Sequence, residues 1–122
     1  METRMKVALL GAGHIGQTIA QLLHTSGDFV LTVFDRDQAA LDRLAQKGIR
    51  TMCIDTGNAA ELTNALDGHG AVVNALPYHL AISAAQAALR ARCHYFDLTE
   101  DVAATKEIKR LAQDAAARFA AN

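Results

Sequence analysis

Apolar residues along this chain fall into short continuous runs and longer stretches at helical spacing, and the two alternate from end to end. Val7 to Leu10 is one run and Phe29 to Phe34 (FVLTVF) another; both read as strands buried on two faces. Between them Ile15, Ile19, Leu22 and Leu23 recur at helical spacing and predict an amphipathic helix from His14 to Thr25. Ser26-Gly27-Asp28 stops it, with Gly27 as the C-terminal cap. Asp37 is placed to cap a helix from Gln38 to Lys47, with Leu41, Leu44 and Ala45 inward and Gly48 at its end. Ile49 to Ile54 is a third strand, shorter and more mixed, as at a sheet edge. Asn58 caps a helix through Leu66, closed by Asp67-Gly68-His69-Gly70. Ala71 to Leu76 (AVVNAL) is a fourth strand. Pro77 then stands where the first residue of the alanine-rich helix Tyr78 to Arg90 is expected. His94 to Leu98 is a fifth strand running into Thr99-Glu100-Asp101. Val102, Ile108, Leu111, Ala115 and Phe119 mark a last helix.

Strands alternating with helices predict an α/β fold, a doubly wound parallel sheet covered on both faces. Right-handed crossovers and a glycine turn after the first strand favour the strand order 3-2-1-4-5. The 122 residues suffice for one domain with a real core and are too few for two.

The turn after the first strand reads Gly11-Ala12-Gly13-His14-Ile15-Gly16, and it opens a helix. Here G-x-G-x-x-G has the strand-turn-helix context that gives it meaning. Gly11 allows the tight turn, Gly13 lets a pyrophosphate approach the backbone, and Gly16 lets helix and strand lie close. The helix then points free N–H groups and its positive dipole end at the phosphates. Asp35 follows about twenty residues beyond Gly16, at the end of the second strand. A carboxylate there accepts from the adenosine ribose hydroxyls and repels a 2′-phosphate, so Asp35 favours NAD over NADP. Arg36 pulls the other way, since its guanidinium would receive a 2′-phosphate if Asp35 turned aside.

Ligands of such a sheet lie across the carboxyl ends of the strands, so the remaining candidates are few. Asp55-Thr56 would flank the adenine, or only make the turn. Asn74 is polar within an apolar strand and needs a hydrogen-bond partner if buried, for which the neighbouring glycine-loop backbone is the expected group. His79 starts the next helix on the nicotinamide side as a candidate proton donor. Asp97 and Thr99 would line that half of the crevice, although capping also explains acidic residues there.

Composition removes competing classes. Hydrophobic residues make up 51% and charged residues 20%, which is ordinary for a folded domain. A formal net charge of −1 offers nothing to nucleic acid or an anionic membrane. No apolar run approaches the ~20 residues of a membrane span, and the expected location is cytoplasmic. No metal-ligand spacing and no Ser-His-Asp grouping is present. Cys53 and Cys93 fall on the two outer strands, ~19 Å apart, beyond the ~7 Å reach of a disulfide. They read as two buried thiols acting as small hydrophobes.

Two segments are more specific than the glycine loop: Val73-Asn74-Ala75-Leu76-Pro77-Tyr78-His79 and His94-Tyr95-Phe96-Asp97-Leu98-Thr99-Glu100-Asp101. With them the chain resembles, over nearly its whole length, the N-terminal cofactor domain of the saccharopine dehydrogenase family. The resemblance implies a Rossmann domain that contacts NAD, or alternatively NADP, through Gly11, Gly13, His14, Ile15, Asp35, Arg36, Leu76 and Pro77. Ala12, Gly16 and Asp55 complete the candidate set, with no catalytic or metal-binding residue assigned. It further implies an oxidoreductase acting on the C–N bond of an amino acid or amine, through a substrate domain that these residues do not include. On that reading the chain is a piece of a longer polypeptide, or a domain that works with another chain, and binds dinucleotide without turning over an amine. A homodimer of the full-length protein is left open. The alternative is a non-catalytic NAD(H)-sensing domain of the kind found in potassium channels and transporters.

Overall fold

β1 (Met5–Leu10) is the centre of the molecule. Its residues alternate between two cores, Val7 and Leu9 toward one and Ala8 and Leu10 toward the other, and none of these four side chains is more than 4% exposed. Only a strand covered on both faces can be apolar at every position of such a run. In the computed structural model, which describes residues 2–98 and 102–120, β1 pairs in parallel with β2 (Phe29–Asp35) and β4 (Ala71–Asn74). β3 (Arg50–Cys53) and β5 (His94–Asp97) pair in parallel at the edges, giving the expected order β3-β2-β1-β4-β5.

One face carries α1 (His14–Ser26) and α2 (Gln38–Ala45), where Ala20, Leu41 and Leu44 close over Val7, Leu9, Leu31 and Val33. The other carries α3 (Ala59–Leu66) and α4 (Ala81–Arg90), where Leu62, Leu66, Ala84 and Ala88 close over Leu10, Phe34 and Val72. α5 (Val102–Ala120) packs beside α4. The expected caps form: Asp37 Oδ1 accepts from the Ala40 N–H, Asn58 Oδ1 accepts from the Glu61 N–H, and Gly27 ends α1 at φ 71°. No described helix is long and apolar enough to cross a membrane.

Three expectations need correction. The fourth strand stops at Asn74 rather than Leu76, because the Asn74 side chain takes the Leu76 N–H at 3.0 Å and turns the chain. Pro77 is extended (φ −52°, ψ 147°) and not the first residue of a helix; a 3-10 turn, Tyr78–Leu80, intervenes before α4 begins at Ala81. The cysteines are free, as expected, but only Cys93 is half-buried, its thiol donating to the His69 carbonyl at 3.2 Å. Cys53 ends an edge strand of four residues and is exposed.

Candidate functional site

The carboxyl ends of the strands open into a crevice of about 690 Å³. Its floor is the glycine turn. Gly11 has φ +106°, and a Cβ there would also stand 2.7 Å from the Ala75 carbonyl oxygen, so only glycine fits. Gly16 is closer still: its Cβ would meet the Gly11 carbonyl oxygen at 2.1 Å, which is how tightly α1 lies on the turn. Gly13 differs, because nothing stands within 4 Å of a Cβ built there; the space it leaves faces the crevice. Gly13 is also the N-cap of α1, with no side chain to bond the first N–H groups and no acid in the first turn. Those donors and the helix dipole form a site for an anion.

Asp35 stands at the end of β2 but is already engaged. Its Oδ2 accepts from the Ala12 N–H at 2.6 Å and its Oδ1 from the Asp37 N–H at 2.9 Å. The carboxylate therefore ties the glycine turn to the start of α2. Gln17 adds to this, its amide reaching the carbonyls of Ala12 and Ala40 at 3.1 Å each. Arg36 and Arg43 line the same end of the crevice, and neither side chain enters an ion pair among the described residues.

The opposite wall is Ala75, Leu76, Pro77, His79 and Leu80. Behind it Asn74, 1% exposed, donates from Nδ2 to the Tyr95 hydroxyl at 3.0 Å, and Tyr95 donates to Asp97 Oδ2 at 2.6 Å. Burial, reinforced by the Asp97 carboxylate, pushes the Tyr95 phenol far above its ordinary value of 10, so it remains a donor at any working pH. Asn74 thus bonds Tyr95 and Leu76, not the glycine-loop backbone that the sequence suggested.

Of the candidate residues, Gly11, Ala12, Gly13, His14, Ile15, Gly16, Asp35, Arg36, Leu76 and Pro77 all border the crevice, as does His79. Asp55 does not: it is exposed, and its carboxylate accepts from the Gly57 N–H at 3.0 Å within its own turn. Thr56 and Gly57 border the crevice in its stead. Asp97 sits behind the wall, while Thr99 lies outside the described residues. Arg43, which sequence reasoning did not single out, also lines the crevice. Its signal was its place three positions after Ala40, which puts both on one face of α2. A separate apolar cavity of about 410 Å³ lies between α4, the start of β5 and α5, away from the strand ends.

Among solved structures the chain is similar to saccharopine dehydrogenase (L-Glu forming) from Saccharomyces cerevisiae. The TM-score is 0.76 at 24% identity, over 85% of this chain and 24% of that one. It is also similar to the TrkA-N domain of inner membrane protein YbaL from Escherichia coli, with TM-score 0.74 at 17% identity over 91% and 84% of the two chains. A third is the NADPH-dependent quinone oxidoreductase QOR2 from Escherichia coli, complexed with NADPH, with TM-score 0.68 at 21% identity over 89% and 45%. At these identities the likeness is one of fold, and the chain spans about a quarter of the length of the yeast enzyme. The family model described as the saccharopine dehydrogenase NADP binding domain matches residues 7–121, and the chain belongs to that family.

Proposed function

We propose that this chain is the NADP-binding domain of an oxidoreductase that acts on the C–N bond of an amino acid or amine. The observation that carries the dinucleotide is the crevice itself: an uncapped helix N-terminus and an open Gly13 beside a glycine turn that no other residue type could build. The preference for NADP reverses the expectation drawn from Asp35 alone. Asp35 is turned toward Ala12 and Asp37, while Arg36 and Arg43 border the crevice beside it without an ion-pair partner among the described residues. Two guanidinium groups and an occupied carboxylate suit a 2′-phosphate better than a free ribose hydroxyl pair.

The bound nicotinamide would supply hydride transfer, and the chain's own residues bind and orient it. Leu76, Pro77 and His79 would form its wall, and His79 is the proton-bearing side chain of that wall among the described residues. The C–N chemistry rests on family membership and on a substrate domain outside these residues. The sensor reading draws on the fold shared with the TrkA-N domain, and amine-dependent turnover by the full-length protein separates the two.

Fluorescence titration with NADPH and NADH tests the cofactor half. NADPH should bind at least tenfold tighter. Arg43→Ala should cost ~1.5–3 kcal/mol of NADPH binding, the worth of a charged hydrogen bond, and leave NADH unchanged. Wild-type preference for NADH would return Asp35 to the ribose.

A further inference from the structure

The two segments that carry the family resemblance are joined physically where the structure describes them, Val73–His79 to His94–Leu98. β4 and β5 pair with Asn74 opposite Asp97 and Val72 opposite Tyr95, so Tyr95 and Asp97 project on one face of the strand beside Asn74. The hydrogen bonds there run in one direction. The Leu76 N–H donates to Asn74 Oδ1 at 3.0 Å, which fixes the amide so that Nδ2 must point the other way. Nδ2 donates to the Tyr95 oxygen at 3.0 Å, leaving the phenol proton for Asp97 at 2.6 Å. The Ala81 carbonyl, 3.2 Å from the same hydroxyl, is the weaker acceptor for that single proton. A chain of donors ending on a carboxylate polarises each member in the same sense.

The near end of this chain bears on the cofactor. The Leu76 nitrogen, the Ala75 carbonyl carbon and the Ala75 oxygen are the atoms closest to a Cβ built on Gly11, at 3.1, 2.8 and 2.7 Å. The peptide that Asn74 holds is therefore the peptide against which the glycine turn packs. The Ala75 N–H is bonded in addition to the Leu10 carbonyl at 2.7 Å. We infer that Tyr95, acting through Asn74, is a positioning residue for the dinucleotide: it sets the Ala75–Leu76 peptide, and with it the pyrophosphate turn and the nicotinamide-side wall. Asp97 anchors the chain rather than touching the ligand. The inference rests on the dinucleotide reading above.

Tyr95→Phe removes one oxygen and keeps the ring. Adenosine 2′-monophosphate, which reaches only the Arg36–Arg43 end, is the control ligand. The variant should lose at least tenfold in NADPH affinity, change adenosine 2′-monophosphate affinity by less than twofold, and exchange the Leu76 amide proton faster. Equal losses for both ligands, or no loss for either, would overturn the positioning role. Asp97→Asn keeps an acceptor for the phenol; it should cost less than threefold in NADPH affinity, and a loss as large as that of Tyr95→Phe would count against the chain of bonds. A wild-type chain that binds NADPH, with Tyr95→Phe binding it equally well, refutes this inference alone. A wild-type chain that does not bind NADPH refutes the dinucleotide reading and the inference with it.

Discussion

Gly13 and Gly16 occupy the same motif, yet their surroundings differ in a way that two alanine substitutions distinguish. At Gly13 a Cβ meets nothing within 4 Å, and φ −74°, ψ −166° is open to alanine. Alanine restricts the unfolded chain, a gain of ~0.4–1 kcal/mol, and is a poorer N-cap by a similar ~0.5–1 kcal/mol. The two nearly cancel, so Gly13→Ala should melt within about 2 °C of the parent. At Gly16 the Cβ falls 2.1 Å from one backbone oxygen and 2.8 Å from its carbon. Relief requires the glycine turn to move off α1, an overpacking cost of ~3 kcal/mol, against ~1 kcal/mol gained in helix propensity. A net ~2 kcal/mol, with an unfolding entropy of roughly 2.1 cal/mol/K per residue, lowers the melting point by about 8 °C. NADPH affinity should fall at least tenfold in both variants: in Gly16→Ala with the fold, in Gly13→Ala alone, because the methyl stands where the pyrophosphate must approach. Thermal melts and NADPH fluorescence titrations on the same samples make the test. Gly13→Ala binding NADPH within twofold of the parent, or melting as low as Gly16→Ala, would refute the division.

Asp35→Ala should destabilise the chain by ~2 kcal/mol, since the fully buried Ala12 loses the acceptor for its N–H; an unchanged denaturation midpoint would show that the carboxylate does not hold the turn. By loosening the glycine turn the same variant should weaken NADH and NADPH alike, and a selective loss of NADH in a competition titration would place the carboxylate on the ribose instead. His69 stands edge-on to Phe34, and burial lowers its pKa below 6.5, with Lys6 adding to that and the Leu66 carbonyl and Asp67 opposing it. The folded state therefore binds this proton less readily than the unfolded chain, so stability is complete above pH 6.5 and declines as pH falls below it. His69→Gln should flatten that decline in melts between about pH 7.5 and pH 5, and an identical slope would exclude His69 as its source.

The central strands were legible because burial on both faces forces an unbroken apolar run, and two such runs joined by an amphipathic helix are the pattern of a parallel sheet covered by helices. The glycine turn was legible for a related reason: positive φ at Gly11 and the contact of Gly16 with the Gly11 carbonyl are local demands that only glycine meets. Where the reading failed, the deciding contact was one that residue type and spacing do not announce. Asp55 has the right residue type at the right strand end, but its turn closes on Gly57. Asp35 looked free for a ribose because sequence does not reveal that the Ala12 N–H points at it. Arg43 lies on a helix whose outward face is otherwise polar, and only the packing of Leu41 and Leu44 on the sheet fixes which exposed positions turn toward the crevice.

Asn74 shows the limit most clearly. A buried amide announces that it has partners but not which ones. The choice between the glycine loop and Tyr95 depends on β5 lying next to β4 in a register that sets Asn74 opposite Asp97. Once that register is known, the period-two alternation of His94 to Leu98 decides the matter. Tyr95 and Asp97 share the face that packs on α4, while His94, Phe96 and Leu98 share the exposed one. Two polar groups on the inner face of an edge strand would be a liability unless a third polar group met them, and Asn74 is that group. The same requirement explains why the fourth strand ends where it does. An amide satisfied on one side by Tyr95 has its oxygen left for the next free N–H, and that N–H belongs to Leu76, at the wall of the crevice.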